Sequence, residues 1–261
     1  MKNILLQEQS FRQEVDIFKK VAKDLNVNLL VVDPICSAPL KKAFDATLVR
    51  TYRGFEAINA FIDSIPGQPA IFGFNPKDTI QLLDKYEDML FLEKAGVRVP
   101  KSSLTLEGQT FPWVRKSFWG FGGQGVTLRT DEALDEGYFA QEYLDEEAQD
   151  YRVYDGCDFI VCRNPAEGDF RTNKYQGGES IVLSKEEFIA QRGENLYFDI
   201  LAQSAFAIDV LHRKFGATDV KIQNGLAYIL EVNRTPRLRI DNKWAEIVVK
   251  TWLKEIIKSL D

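Results

Sequence analysis

Apolar residues at Phe11, Val15, Phe18, Val21 and Leu25 recur at helical spacing behind a Ser10–Gln13 capping box, and predict a first amphipathic helix. The apolar run at 29–32, stopped by Asp33-Pro34, predicts a buried strand. Short strands at 47–49 and 70–74 follow, with a helix near 56–62 between them. This alternation predicts a small α/β lobe with a parallel sheet. Asn75-Pro76 offers a helix start, and Asp84 with Glu87 a second one ending at Gly96, before Pro100. Residues 112–116 and 125–129 read as strands around a glycine-rich loop. Another strand at 138–144 leads into the acidic linker Asp145-Glu-Glu147. Beyond Asp150 the pattern changes to α+β. A hairpin spans 150–155 and 158–163, turned at Gly156, and a helix covers 198–215, capped by Gly216. Two strands then flank Asn224-Gly225, and a final helix carries Trp244, Ile247, Val248, Trp252 and Ile256 on one face. The expected organisation is three lobes, at 1–83, 84–144 and 145–261.

Composition narrows the chemistry. A net charge of −6 argues against a broad nucleic-acid footprint. Three cysteines without CxxC spacing point to a reduced, cytoplasmic chain. No apolar run approaches a membrane span, and the opening apolar run, cut off by Gln7-Glu8-Gln9, does not read as a signal peptide. His212 is the only histidine and falls within the expected 198–215 helix, which excludes histidine-dependent triads and His-rich metal sites.

Four stretches carry candidate chemistry. Lys116-Ser-Phe-Trp-Gly-Phe-Gly-Gly-Gln-Gly-Val126 places four glycines in six positions, freeing backbone N–H groups to approach phosphate oxygens beside a lysine. A flexible hairpin with a solvated lysine is the competing reading. The stretch is not a Walker loop, because Val126 stands where that motif requires lysine, and a dinucleotide fingerprint fails because residues 1–53 hold no glycine. In Asp219-Val-Lys-Ile-Gln-Asn-Gly-Leu-Ala-Tyr-Ile-Leu-Glu-Val-Asn233, Glu231 and Asn233 share a strand face. A three-residue loop, Gln223-Asn224-Gly225, would pair Asp219 with Ile229 and make Glu231 its diagonal neighbour. Two carboxylates and an amide oxygen there suit Mg²⁺; a solvated hairpin is the alternative. Glu167-Gly-Asp-Phe-Arg-Thr-Asn173, continuing to Gly177-Gly178, is a polar loop whose Arg171, Asn173 and Lys174 could meet an anion or simply be solvated. Arg234, Arg237 and Arg239 follow the hairpin and either hold an acidic substrate or are exposed charges. Arg163 is a further candidate substrate contact.

Taken in order, Asp84-Lys85, Gly96, Val99-Pro100, the Lys116 loop, Gln141-Glu-Tyr-Leu144, Asp150-Tyr-Arg152, EGDFRTN at 167–173, Asp219 and Glu231-Val-Asn233 resemble the ATP-grasp superfamily. Within it they are most similar to the RimK-like amino-acid (glutamate) ligases. The resemblance implies an ATP-grasp fold with a small Rossmann-like pre-ATP-grasp lobe. Lys85, Lys116, Gly122 and Gly123 would contact ATP phosphates, and Gln141, Glu142, Tyr143 and Leu144 would form the hinge against adenine. Asp150 would lie near the ribose. Arg171 and Asn173 would be catalytic at the γ-phosphate and acyl-phosphate, with Arg171 also binding ATP. Asp219, Glu231 and Asn233 would bind two Mg²⁺ ions, a role Mn²⁺ could also fill. Gln176 and Arg237 depart from the family, which often has a basic residue and a glycine there.

The implied reaction is ATP-dependent ligation of a carboxylate to an amine through an acyl-phosphate. Such chemistry rests on positioning and charge neutralisation more than on a side-chain nucleophile. The acceptor would be a peptide, protein tail or small metabolite, with at least one substrate acidic. A homo-oligomer is compatible with the sequence. The alternatives are an ATP-grasp phosphotransferase and a non-catalytic nucleotide-binding partner.

Overall fold

Ile4, Leu5 and Leu6 are fully buried in β1 (Asn3–Gln7), an interior strand of a four-stranded parallel sheet in the computed structural model. The structure describes all residues except 9–11, 36, 38–39, 52–53, 121–122, 132 and 173–176. The first sheet has the order β2-β1-β3-β4, with β2 (Asn28–Val32), β3 (Ala46–Val49) and β4 (Ala70–Gly73). Helices α1 (Arg12–Asp24) and α2 (Phe55–Ser64) provide its crossovers. β1 is not legible in the apolar pattern, because its run is short and followed at once by polar residues.

Helix α3 (Lys85–Ala95) starts where its capping signals place it. The Asp84 carboxylate accepts from the N–H groups of Tyr86 and Glu87 at 2.8 and 2.9 Å, Glu87 accepts from Asp84 N at 2.9 Å, and Gly96 closes the helix at φ 90°. Ahead of it Asn75-Pro76 opens no α-helix; a 3-10 turn at Thr79–Leu82 stands there, capped by Asp78. A second, antiparallel sheet has the order β5-β8-β6-β7, from β5 (Ser102–Ser103), β6 (Trp113–Ser117), β7 (Thr127–Arg129) and β8 (Tyr138–Glu142).

The third sheet, order β11-β10-β9-β12-β13, contains β9 (Asp150–Tyr154), β10 (Ile160–Asn164), β11 (Glu179–Leu183), β12 (Ala217–Gln223) and β13 (Leu226–Asn233). Strand periodicity divides its faces. Tyr151, Val153, Ile160, Val220, Ile222 and Ile229 form a core with α3, α4 (Lys185–Arg192) and α5 (Glu194–Val210). Asp150, Arg152, Arg163, Asp219 and Glu231 line a cavity instead. The final helix α6 (Asn242–Ser259) buries Val248, Trp252 and Ile256 in a core shared with β1, β3 and α1. The amino-terminal sheet and the carboxy-terminal helix therefore share one hydrophobic core.

Two elements differ from the sequence expectation. The helix expected over 198–215 runs from Glu194 to Val210, and Gly216 is not its cap. The chain instead turns through His212 and Phe215 at positive φ, so His212 lies beyond the helix. The hairpin at Asn224-Gly225 has a two-residue loop, both residues at positive φ, pairing Gln223 with Leu226. The one-residue offset arises from a β-bulge. Asp219 pairs with Glu231 and Val220 with Ile229, leaving Leu230 as the extra residue. The carboxylates are direct neighbours rather than diagonal ones.

Candidate functional site

One cavity of about 660 Å³ lies between the second and third sheets and the amino-terminal lobe. Among the sequence candidates, Lys85, Lys116, Gly123, Gln141, Glu142, Tyr143, Leu144, Asp150, Arg163, Arg171, Asp219, Glu231, Asn233, Arg234, Arg237 and Arg239 all line it. Gly122, Asn173 and Lys174 lie outside the described residues, as does the Ser10 capping position.

Two lysines meet the carboxylate hairpin. Lys85, in the first turn of α3, pairs with Glu231 at 3.2 Å. Lys116, on β6, donates to the carbonyl of Leu230 at 3.4 Å, the residue that the bulge leaves without a cross-strand partner. Burial lowers the Lys116 pKa to about 8, opposed by the charge of Glu231 and reinforced by Lys85. The glycine loop is drawn in from the same side, since Lys85 N donates to Phe118 O at 3.1 Å. Gly125 is obligatory by space as well as by its φ of 73°, because a Cβ there would stand 2.7 Å from Ser117 Oγ.

Asp219 is heavily engaged. Arg152 grips it through Nε and Nη2 at 2.8 and 3.0 Å, and Arg163 Nη2 adds a third contact at 3.1 Å. Burial would raise its pKa, but the two guanidinium groups outweigh burial and hold it well below the usual carboxylate range. Arg163 also binds Asp150 through Nε at 2.7 Å, and Thr172 Oγ1 donates to the other Asp150 oxygen. Asp150 thereby ties β9, β10 and the 167–178 loop together. Arg171 is folded onto Asp169 of its own loop, with Nη2 at 2.7 Å, and this bond holds Asp169 down to about 2. The Gln141 side chain is buried and donates to Ser102 Oγ at 3.1 Å.

A divalent cation fits part of the expected ligand set. Asn233 Nδ2 is buried without a partner. With the amide turned over, an acceptor oxygen would stand there, and a cation would satisfy it. Glu231 is beside it on the same strand face and one-third exposed. Asp219, by contrast, would have to be shared with two arginines. Among the described residues no three Asp, Glu, His or Cys side chains cluster as a metal site by themselves. A cation here would draw further oxygens from water or a bound phosphate.

Arg152 was legible in the sequence only as part of Asp150-Tyr-Arg152; period two puts it on the face of Asp150, which is the signal that could have placed it. Glu8 and Arg50, which also line the cavity, carried no signal. Arg50 bonds Glu8 at 2.8 Å, Glu14 at 2.6 Å and Pro236 O at 3.1 Å, pinning the arginine-bearing loop to the amino-terminal lobe. Burial raises the Glu8 pKa against the pull of Arg50. Tyr154 Oη donates to Arg237 O at 2.7 Å and Leu238 N to Glu14 at 3.2 Å, so the loop backbone is fixed from several directions. Among the described residues no helix is long and apolar enough to cross a membrane.

No protein-family model and no curated protein sequence matches the chain. Solved structures do. A RimK domain ATP-grasp protein from Sphaerobacter thermophilus superposes with a TM-score of 0.64 at 14% identity, over 98% of this chain and 99% of that one. D-alanine–D-alanine ligase from Bacillus anthracis, complexed with ATP, gives 0.63 at 16% identity, over 99% and 96%. The ATP-grasp ligase PsnB, complexed with a precursor peptide and AMPPNP, gives 0.66 at 15% identity, over 99% and 98%.

Proposed function

Because this chain has the ATP-grasp fold, we propose that it is a Mg-ATP-dependent ligase that joins a carboxylate to an amine through an acyl-phosphate. The observation that carries this reading is the meeting of Lys85, Lys116, Glu231 and Asn233 in one cavity with the arginine loop at 234–239. The cavity collects cations and oxygen ligands, and the chain's one histidine is not among the residues that line it. Phosphoryl transfer asks for this inventory, since its charge must be neutralised and its partners aligned.

The three lobes at 1–83, 84–144 and 145–261 divide the work. Lys85, Lys116 and the backbone of Gly122 and Gly123 hold phosphates. The backbone of Gln141, Glu142, Tyr143 and Leu144 faces the adenine, while Asp150 orders the ribose side through Arg163 and Thr172. Mg²⁺ would be held by Glu231 and Asn233, with Asp219 as a shared ligand, and would supply charge neutralisation, a role Mn²⁺ could also fill. Arg171 leaves Asp169 to meet the transferred phosphoryl group, together with Asn173.

The substrate carboxylate lies toward Arg234 and Arg237. Guanidinium groups suit a carboxylate bidentately, so at least one substrate is acidic, as in the glutamate-adding RimK-like enzymes. The amine belongs to an amino acid, a peptide or protein tail, or a small metabolite. The buried, unbridged thiols of Cys157 and Cys162 are consistent with a cytoplasmic setting. Incubation with Mg-ATP and a matrix of acids and amines, read by product mass, tests the reading. Condensation products with ADP support it. A stable phosphorylated acid without any need for an amine would indicate a phosphotransferase, and no ADP with any pair a nucleotide-binding partner.

A further inference from the structure

The turn after α5 carries a buried ion pair beside the cavity. Arg213 sits there with its side chain 1% exposed. Its Nη1 and Nη2 each donate to Asp88 at 2.6 Å, and Nη1 also donates to the carbonyl of Val232 at 2.8 Å. Asp88 lies on α3 one turn beyond Lys85, and Val232 stands between Glu231 and Asn233. One planar cation thus bridges the helix that presents Lys85 and the strand that presents Glu231 and Asn233.

A second, independent contact braces the same segment. A Cβ on Gly216 would stand 2.6 Å from Arg213 O and 2.7 Å from Asn233 O, so the backbone of the turn is pressed directly against Asn233. A buried ion pair is weak evidence for stability, since desolvation of the two charges offsets much of their attraction. What a guanidinium adds is geometry, because its fork fixes both distance and direction.

We propose that Arg213, held by Asp88, is a positioning residue that sets the Glu231–Val232–Asn233 segment, through the Val232 carbonyl, for a divalent cation shared with nucleotide phosphates. This rests on the Mg-nucleotide reading above. It assigns Arg213 and Asp88 a role in metal affinity rather than in nucleotide contact. Partners that orient metal ligands are commonly worth about 10–100-fold in metal affinity.

The test is calorimetric titration with AMPPNP, a nucleotide the enzyme does not turn over, across a Mg²⁺ series and in EDTA. The proteins are wild type, Arg213→Lys, Asp88→Asn and, as a control, Tyr197→Phe. Tyr197 bonds Asp158 O at 2.6 Å and does not line the cavity, so its loss lowers stability alone. Arg213→Lys and Asp88→Asn are expected to raise the half-saturating Mg²⁺ about tenfold, with nucleotide affinity in EDTA unchanged. Tyr197→Phe should melt earlier with a wild-type Mg²⁺ requirement. If Arg213→Lys does not fold, Asp88→Asn decides, since it preserves shape and volume. A folded Asp88→Asn or Arg213→Lys with the wild-type Mg²⁺ requirement would overturn the assignment, as would an equal shift in Tyr197→Phe. A wild type whose nucleotide binding ignores Mg²⁺ would overturn the proposed function itself, and this inference with it.

Discussion

Lys116 gives the account a quantitative handle on pH. Burial holds its pKa at about 8 in the nucleotide-free protein, with Glu231, Asp219 and Asp150 raising it and Lys85 lowering it. A phosphate beside it favours the ammonium form, so nucleotide binding takes up a proton wherever Lys116 is neutral beforehand. The sign follows: affinity is full well below the Lys116 pKa of about 8 and falls as pH rises through it. At about pH 9 only about a tenth of the free protein carries the charge, so affinity should drop roughly tenfold from its low-pH value, about 1.4 kcal/mol. At about pH 8 the drop is about twofold. Calorimetry with Mg-AMPPNP at about pH 7, 8 and 9, in two buffers of different ionisation enthalpy, reads both the affinity and the proton uptake. Lys116→Arg should flatten the profile because guanidinium keeps its charge. Stability runs in the opposite sense: the unfolded chain binds more protons between about 8 and 10.4, so this group's contribution to stability rises with pH there. Affinity that stays flat to about pH 9, without proton uptake, would refute the placement of Lys116 at the phosphates.

Four further outcomes are expected. Glu231→Gln and Asn233→Ala should each abolish turnover while circular dichroism stays native, because a cation loses hard oxygen ligands; normal ADP release at limiting Mg²⁺ would contradict the metal assignment. Gly178→Ala would bring a Cβ to 2.3 Å from Thr172 O, so a loss of about 1–3 kcal/mol is expected in urea unfolding; an unchanged midpoint would mean the loop relaxes freely. Amide exchange at Gly123 and Gly125 should slow on adding nucleotide, and the fluorescence of Trp119, 63% exposed at the cavity rim, should change with it; exchange already slow beforehand and unaltered by nucleotide counts against phosphate contacts. Arg237→Ala should raise KM for the acidic substrate and leave KM for ATP alone. An equal rise in both KM values argues that the arginine only supports the loop.

The legible parts of the fold were those with local signals. Asp84, Glu87 and Gly96 define α3 because caps and helix ends are set by a few neighbouring residues. Asn224-Gly225 marks its turn for the same reason, since both residues must reach positive φ. The bulge was invisible: it depends on how β12 meets β13 and β9 together, and no residue type announces it. Its effect is large, because it makes Asp219 and Glu231 direct neighbours and leaves Leu230 O for Lys116. β1 was missed because its brief apolar run is cut off at once by Gln7-Glu8-Gln9. The described candidate residues line one cavity. What the motifs could not convey is which charges already hold each other. Asp219 with Arg152 and Arg163, and Asp88 with Arg213, are pairings across elements, settled only by tertiary packing.

An oxygen label reports whether the substrate carboxylate attacks the γ-phosphate. A carboxylate substrate that condenses in the acid–amine screen is labelled with ¹⁸O in both carboxyl oxygens and incubated with the chain, Mg-ATP and its amine. Ligation through an acyl-phosphate moves one labelled oxygen into inorganic phosphate and leaves the other in the amide, so the account requires singly labelled phosphate in step with product. Unlabelled phosphate alongside amide formation, or label retained in a phosphorylated acid that no amine consumes, would contradict it.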